Sequence, residues 1–199
     1  MRYSFFALIS RLKYISRWAL MRNSKVENVQ EHSHMVAVIA HALAVIARDI
    51  FGRDIDPGAV AAAALYHDAS ELITGDMPTP VKYHNPEIMS AYKKVEAFAG
   101  EKLLAALPVE MRRAFDPLLT PGDGDEVTAL VKAADKLAAY IKCLEEQKAG
   151  NSEFQTAAVE TKRKLDALDL SEVGYFIDNF IPAFGLTLDE LDFKAPRDI

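Results

Sequence analysis

The chain has 199 residues, 50% of them hydrophobic and 26% charged, with 29 acidic against 23 basic side chains and a net charge of −6. That length suits one good hydrophobic core, and the balance is that of a globular rather than a disordered protein. An acidic chain without a concentrated basic face is a poor binder of nucleic-acid backbones, and the single cysteine, Cys143, excludes an intrachain disulfide or a Cys-rich zinc site.

Helical periodicity dominates from the start. The opening MRYSFFALISRLKYISRW is apolar but is broken by Arg11, Lys13 and Arg17, with no small-residue cleavage site. It therefore reads as neither a signal peptide nor a membrane span, and a cytoplasmic protein is expected. FFALISRLKYI has helical spacing. Asn28 followed by Glu31 forms a capping-box pattern for a helix that runs to about Gly52. Asp56-Pro57 opens the next, which carries AVAAAALYHD and is expected to end around Gly75. GDMPTPVKYHNP holds three prolines and cannot be one continuous helix. Helices follow from about Pro86 to Leu107 and Pro108 to Leu119, then TPGDGD, the most flexible-looking point.

Asp125 to Ala149 is a long helix striped by Leu130, Ala134, Leu137, Ile141 and Leu144, with Cys143 as a small buried residue. Two more helices span roughly 152–168 and 171–182. No segment alternates like a strand. The expected fold is all-α, a single domain over residues 1–199. A boundary at 120–125 would have to be crossed by the chemistry below.

The stretch LYHDASELITGD gathers ionisable groups where core residues are expected. His67 and Asp68 are neighbours near a helix end and can reach one ion, and Glu71 shares the face of His67 at i+4. The preceding alanines let a second helix approach. A lone His-Asp pair arises by chance in many chains, so other ligands decide. His32 lies one turn into the helix after Asn28, whereas His34 and His41 point elsewhere and His84 sits in the proline-rich loop. Asp135 borders the apolar stripe between small residues; it reads equally well as an exposed acid paired with Lys132.

His32, His67-Asp68 and Asp135 resemble the H…HD…D signature of the HD-domain metal-dependent phosphohydrolases. SRLKYISRWALMRNSKVENVQEHSHMVAVIAHAL, ALYHDASELITGDMPTPVKYHNP and LVKAADKLAAYIKCLEEQKAGN further resemble the bacterial 5′-deoxynucleotidases of the YfbR type, in order and spacing. The resemblance implies an all-helical HD fold, a homodimer, and hydrolysis of deoxyribonucleoside 5′-monophosphates to the deoxynucleoside and phosphate. It implies one divalent ion on His32, His67, Asp68 and Asp135, with a metal-bound water as nucleophile. Two imidazoles and two carboxylates suit Co²⁺ foremost, or Mn²⁺, Zn²⁺, Fe²⁺ or Cu²⁺, better than Mg²⁺.

By the same resemblance Arg17 orients the substrate phosphate, with a guanidinium fit for two oxygens. Trp18 lies against the sugar and rejects a 2′-hydroxyl. Asp76, Met77, Pro78 and Thr79 line the substrate pocket, and His32, Asp68 and Asp135 also face the substrate. Lys82 is a further phosphate contact. Glu71 is assigned general acid–base work at the leaving 5′-oxygen.

Rivals are weaker. Guanosine tetraphosphate hydrolases read H-D-x-x-E-D, but Leu72 stands at the final acid. Cyclic-dinucleotide phosphodiesterases carry HD-x-G-K, which HDASE lacks, so a single metal is expected. A non-catalytic sensing module would tend to lose ligands that are all present here. Neither a nucleic-acid polymer nor a membrane is an expected partner.

Overall fold

The structure, a computed structural model, describes residues 2–82, 84–120, 122 and 124–191; the side chains of Thr79 and Pro80 also lie outside the described set. The first apolar run folds as α1 (Phe5–Ile9) and a 3₁₀ turn, Ser10–Tyr14. Next comes α2 (Val29–Val45), which continues as a π turn over Ile46–Ile50 and stops at Gly52. Asn28 accepts from Glu31 N at 3.0 Å while the Glu31 carboxylate accepts from Asn28 N at 3.3 Å. Two donors left over at a helix start are thereby satisfied reciprocally.

Asp56 caps α3 (Pro57–Tyr66) by accepting from Gly58 N at 2.8 Å. This helix does not run on to Gly75 as the sequence predicts. It breaks after Tyr66 into tight turns, and a short α4 (Glu71–Thr74) ends at Gly75, whose φ of +68° favours glycine. A single turn, α5 (Thr79–Lys82), interrupts the proline-rich loop. Then come α6 (Pro86–Ala105) and α7 (Val109–Leu119). Of TPGDGD, residues 121 and 123 lie outside the described set. Asp125 caps α8 (Glu126–Lys148), which is followed by a 3₁₀ turn over Ser152–Phe154, α9 (Gln155–Asp166), α10 (Ser171–Asn179) and a last 3₁₀ turn, Ile181–Gly185. Among the described residues there is no strand, only a bridge between Ser16 and Asn28.

The main core sits where α2, α3 and α8 cross. Val36, Ile39, Ala40, Leu43 and Ala44 of α2 meet Val60 and Ala64 of α3 and Leu130, Ala134, Leu137 and Ile141 of α8. Among the described residues one helix, Val29–Ile50, is long and apolar enough to cross a membrane; here its apolar face is packed between α3 and α8. Small side chains at the crossings (Ala40, Ala64, Ala133, Ala134) are fully buried and let the backbones approach. A second cluster joins Phe5, Ala69, Leu103 and Leu107 with Tyr66 and Phe115. A third packs Cys143, Phe154 and Ala158 against Trp18 and Met21, so Cys143 is buried as its spacing predicts.

The end of α8 holds the long connection between α1 and α2. Glu146, 1% exposed, accepts from Ser24 N and Asn151 Nδ2 at 2.8 Å each and from Lys25 N at 3.3 Å, and it pairs with Lys142. Burial acts to raise the Glu146 pKa, but the bonds from Lys142, Asn151 and Ser24 outweigh it and hold the carboxyl below the usual range. A carboxyl depressed by folding stabilises the fold fully above its unfolded pKa, about 4.3, and loses that contribution as pH falls toward the folded value. Glu146→Gln is therefore expected to lose about 3 kcal/mol at pH 7, and its deficit against the parent should shrink below about pH 4.3 in urea melts.

Two helical glycines make opposite predictions. A Cβ on Gly100 of α6 would lie 2.8 Å from Leu119 O at the end of α7, whereas one on Gly174 of α10 meets nothing within 4 Å. Overpacking of about 1–3 kcal/mol exceeds the helix-propensity gain of up to about 1 kcal/mol. Gly100→Ala should lower the midpoint of thermal unfolding, and Gly174→Ala should raise it.

Candidate metal centre and substrate pocket

The break after Tyr66 builds the site. Had α3 continued, Ala64 O would accept from Asp68 N. Instead it takes His67 Nδ1 at 2.7 Å, and the following turns close as Ala69 N to Tyr66 O at 2.9 Å and Glu71 N to Asp68 O at 3.0 Å. Because Nδ1 gives its hydrogen to a carbonyl, the neutral ring carries its lone pair on Nε2, the tautomer a metal-binding imidazole needs. His67 Nε2 is buried with no hydrogen-bond partner; Asp68 Oδ2 lies 3.1 Å away but off hydrogen-bonding geometry.

His32 is fully buried on α2 and meets Asp135 of α8, Nε2 to Oδ1 at 3.0 Å. Asp68 Oδ2 is 3.7 Å from the same nitrogen. Ligand atoms of His32, His67 and Asp135 all lie within 4.8 Å of one another. Around an ion with bonds of about 2.1 Å, neighbouring ligands stand about 3 Å apart and opposite ones about 4.2 Å. These separations and the mixed nitrogen and oxygen donors fit one divalent first-row ion.

The charges agree with the geometry. Burial lowers the His67 pKa, but the close Asp68 carboxylate and the charge of Asp135 more than reverse this and raise it to about 9. Burial raises Asp135, and the bond and charge of His32 with the charges of His67 and Arg17 override it, holding the carboxyl well below its ordinary range. Asp68 is also held low: burial opposes this, and the close His67 charge with that of His32 outweighs it. The field that draws a proton to His67 also draws a metal cation, which would take the proton's position on nitrogen.

Arg17 borders this cluster. Its Nε donates to Glu27 Oε2 at 3.2 Å and its NH1 to Asp68 Oδ2 at 3.4 Å, with Asp76 Oδ1 at 3.9 Å. Glu27 also accepts Arg17 N at its backbone oxygen, 2.9 Å. Burial would lower the Arg17 pKa, but Asp68, Asp135, Asp76 and Glu27 raise it, so the cation is secure. Trp18 N donates to Asp76 Oδ2 at 3.3 Å, and the indole packs on Phe154 with centroids 5.4 Å apart. Glu71 is buried, with Oε2 unpartnered. Burial first, then the charges of Asp68 and Asp76, push its pKa up to about 9 against the opposing pull of Arg17 and His67. Glu71 is thus a carboxylic acid at neutral pH, able to donate a proton.

The structure brings Arg17, Trp18, His32, His67, Asp68, Asp76 and Asp135 into linked contact. Met77 and Pro78 follow Asp76 and are half-buried, while the Thr79 side chain lies outside the described residues. Lys82 engages α6, donating to Glu96 at 2.8 Å and lying over the Tyr92 ring. Asp135 resolves its two readings in favour of His32. His34, His41 and His84 are exposed. Glu27 escapes sequence reasoning, because an acid before a helix cap carries no local signal for a partner ten residues back.

A helical bundle with this cluster at its centre has the architecture of an HD-domain phosphohydrolase. An HD-domain phosphohydrolase from Listeria innocua superposes with a TM-score of 0.79 at 26% identity, over 91% of this chain and 88% of that one. The HD phosphohydrolase DatZ of cyanophage S-2L, solved with dA and one catalytic Zn²⁺, shares the fold with a TM-score of 0.61 at 22% identity, over 92% of this chain and 99% of that one. Within this class the chain belongs to the YfbR-like 5′-deoxynucleotidase family, whose profile, described as "5'-deoxynucleotidase YfbR-like", matches residues 4–184. It is 50% identical over 193 residues to a 5′-deoxynucleotidase of Photorhabdus temperata, covering 96% of this chain and 98% of that protein. To the 5′-deoxynucleotidase YfbR of Escherichia coli it is 49% identical over 193 residues, 96% and 97% of the two chains.

His32→Ala, His67→Ala and Asp135→Asn should each abolish calorimetric Co²⁺ binding while retaining the circular dichroism of the parent. His41→Ala, exposed on the same helix, should keep both.

Proposed function

We propose that this chain is a 5′-deoxynucleotidase that hydrolyses deoxyribonucleoside 5′-monophosphates to deoxynucleoside and phosphate. The observation that carries the reading is the placement of His67: its Nδ1 is held by the Ala64 carbonyl and its buried Nε2 lies unpartnered beside His32, Asp68 and Asp135, with a cationic Arg17 at the rim. A divalent ion on those four side chains, Co²⁺ foremost or Mn²⁺, Zn²⁺, Fe²⁺ or Cu²⁺, would acidify a water and neutralise phosphate charge.

The other groups act on the substrate. Arg17 gives Nε to Glu27 and NH1 to Asp68, so phosphate oxygens would be taken by NH2 and the remaining NH1 hydrogen. A phosphate monoester is close to a dianion at pH 7, and an acidic protein needs such a local cation to hold it. As water oxygen joins phosphorus and the bond from phosphorus to the 5′-oxygen breaks, the departing alkoxide needs a proton. Glu71, whose burial favours the protonated carboxyl, donates it. Trp18 walls the sugar, and its rigid indole leaves no room for a 2′-hydroxyl. Asp76, Met77, Pro78 and Thr79 complete the pocket. The proposal includes a cytoplasmic homodimer, which light scattering tests directly.

Matched dAMP and AMP assays with Co²⁺, Mn²⁺ and Mg²⁺ test the reading. The parent should prefer dAMP and should work poorly with Mg²⁺. Glu71→Ala should lose roughly 10²–10⁴-fold in kcat with metal binding intact, and Trp18→Ala should lose selectivity more than turnover. Equal rates on dAMP and AMP in the parent would refute the deoxy preference, and an unaltered kcat in Glu71→Ala would remove Glu71 from the proton transfer.

A further inference from the structure

The connection from Ser16 to Asn28 is pinned at its ends and loose between them. Arg17 N bonds Glu27 O at 2.9 Å and Val29 N bonds Ile15 O at 3.0 Å. Inside, the chain's own bonds are a turn, Met21 N to Trp18 O at 2.9 Å, two Asn23 contacts, to Trp18 O at 3.2 Å and Met21 O at 2.9 Å, and the Arg17 Nε bond to Glu27 at 3.2 Å, while Trp18 N reaches out to Asp76 at 3.3 Å. Its tip is fixed from outside, by side chains at and beyond the end of α8. Glu146 takes Ser24 N and Lys25 N. Lys142 Nζ donates to Lys25 O at 2.6 Å and Asn151 Nδ2 to Arg22 O at 2.7 Å, while Glu153 takes Arg22 N at 3.2 Å.

Trp18 itself has a φ of +55°. An L-residue in the left-handed region is strained by about 1–2 kcal/mol, and a bulky aromatic holds it only where its surroundings over-determine it. The ring rests on Phe154, three residues beyond Asn151. The clamp on the backbone and the wall behind the indole thus come from one short region. Burying an ion pair there is a poor way to gain stability, since apolar residues of similar volume do as well. A pair that binds backbone groups of one particular loop instead fixes where that loop lies.

We propose that Glu146, with Lys142 and Asn151, is a positioning device that holds the Arg17–Trp18 segment against the substrate pocket and thereby sets the preference for deoxyribose over ribose. The proposal rests on Trp18 as the sugar wall. Trp18 is the only tryptophan in the chain, so tryptophan emission, excited beyond the tyrosine band, reports on this segment alone.

The test compares the parent, Trp18→Ala, Asn151→Ala and the double variant Lys142→Met with Glu146→Leu, which leaves neither member of the buried pair as an unpaired charge. Each is assayed for Co²⁺ binding and for kcat and KM on dAMP and AMP, and each variant that retains Trp18 for acrylamide quenching. Both clamp variants should bind Co²⁺ like the parent, become more readily quenched, and lose about tenfold in the dAMP to AMP ratio of kcat/KM, mostly through KM. Parental quenching and ratio with only a lower melting temperature would make the cluster a plain brace and overturn the proposal. Should Trp18→Ala keep the parental ratio, the sugar-wall reading falls and the specificity role falls with it. Should Trp18→Ala lose the ratio while both clamp variants keep it, the positioning role alone is wrong.

Discussion

An excess of buried negative charge at one helix crossing is the constraint around which this molecule is organised. Asp68, Asp76, Asp135 and Glu27 converge on Arg17, while His32 and His67 lie among them. Unpaired carboxylates withdrawn from water are strongly disfavoured, so the site must gather positive charge or protons. Glu71 keeps a proton because it is buried and its neighbours Asp68 and Asp76 are anions, and the carboxylates beside His67 drive it the same way. A dianionic phosphate would be repelled by such a field. A divalent ion held by His32, His67, Asp68 and Asp135 would supply the positive charge that a nucleotide phosphate needs there, alongside Arg17.

Packing makes that convergence reachable. His32 and Asp135 are on different helices, and their 3.0 Å contact requires α2 and α8 to approach closely. Fully buried alanines at the crossings, Ala40 of α2 and Ala133 and Ala134 of α8, permit this, and Ala64 does the same for α3. The failure of α3 to continue past Tyr66 matters as much. By diverting Ala64 O to the His67 ring, the break fixes the tautomer and turns Asp68 and Glu71 onto the same centre. One local departure from helical bonding thus orients two proposed ligands and the proposed acid.

Much of this was legible in the chain. The caps at Asn28, Asp56 and Asp125 announce helix starts because they satisfy donors within three residues, a short-range requirement that sequence records directly. The resemblance carried His32, His67, Asp68 and Asp135 together. Periodicity alone left Asp135 open, because its choice between Lys132 nearby and His32 on another helix is made by tertiary packing. The stop after Tyr66 was hidden, since LYHDASEL has no breaker and the carbonyl is lost to a side chain. Lys142 and Glu146 were overlooked for a related reason. An i,i+4 Lys–Glu pair reads as a solvated helix face, and only the arrival of Ser24 and Lys25 from more than a hundred residues away makes it buried.

The two halves of the site differ in how they are held. The four proposed metal ligands stand on or beside α2, α3 and α8, where the largest core cluster resists displacement and coordination distances tolerate little error. Arg17 and Trp18 stand instead on a connection whose own hydrogen bonds are few, and Trp18 is strained there. A loop gains the reach to lie across a substrate and loses the precision of a helix. The polar knot at the end of α8 offsets that loss by binding backbone groups rather than side chains, so the loop is fixed whatever residues occupy its exposed tip. Rejecting one hydroxyl calls for an unyielding wall, because an indole free to shift by a fraction of an ångström would admit ribose; the clamp therefore bears on specificity more than on the bond-breaking step.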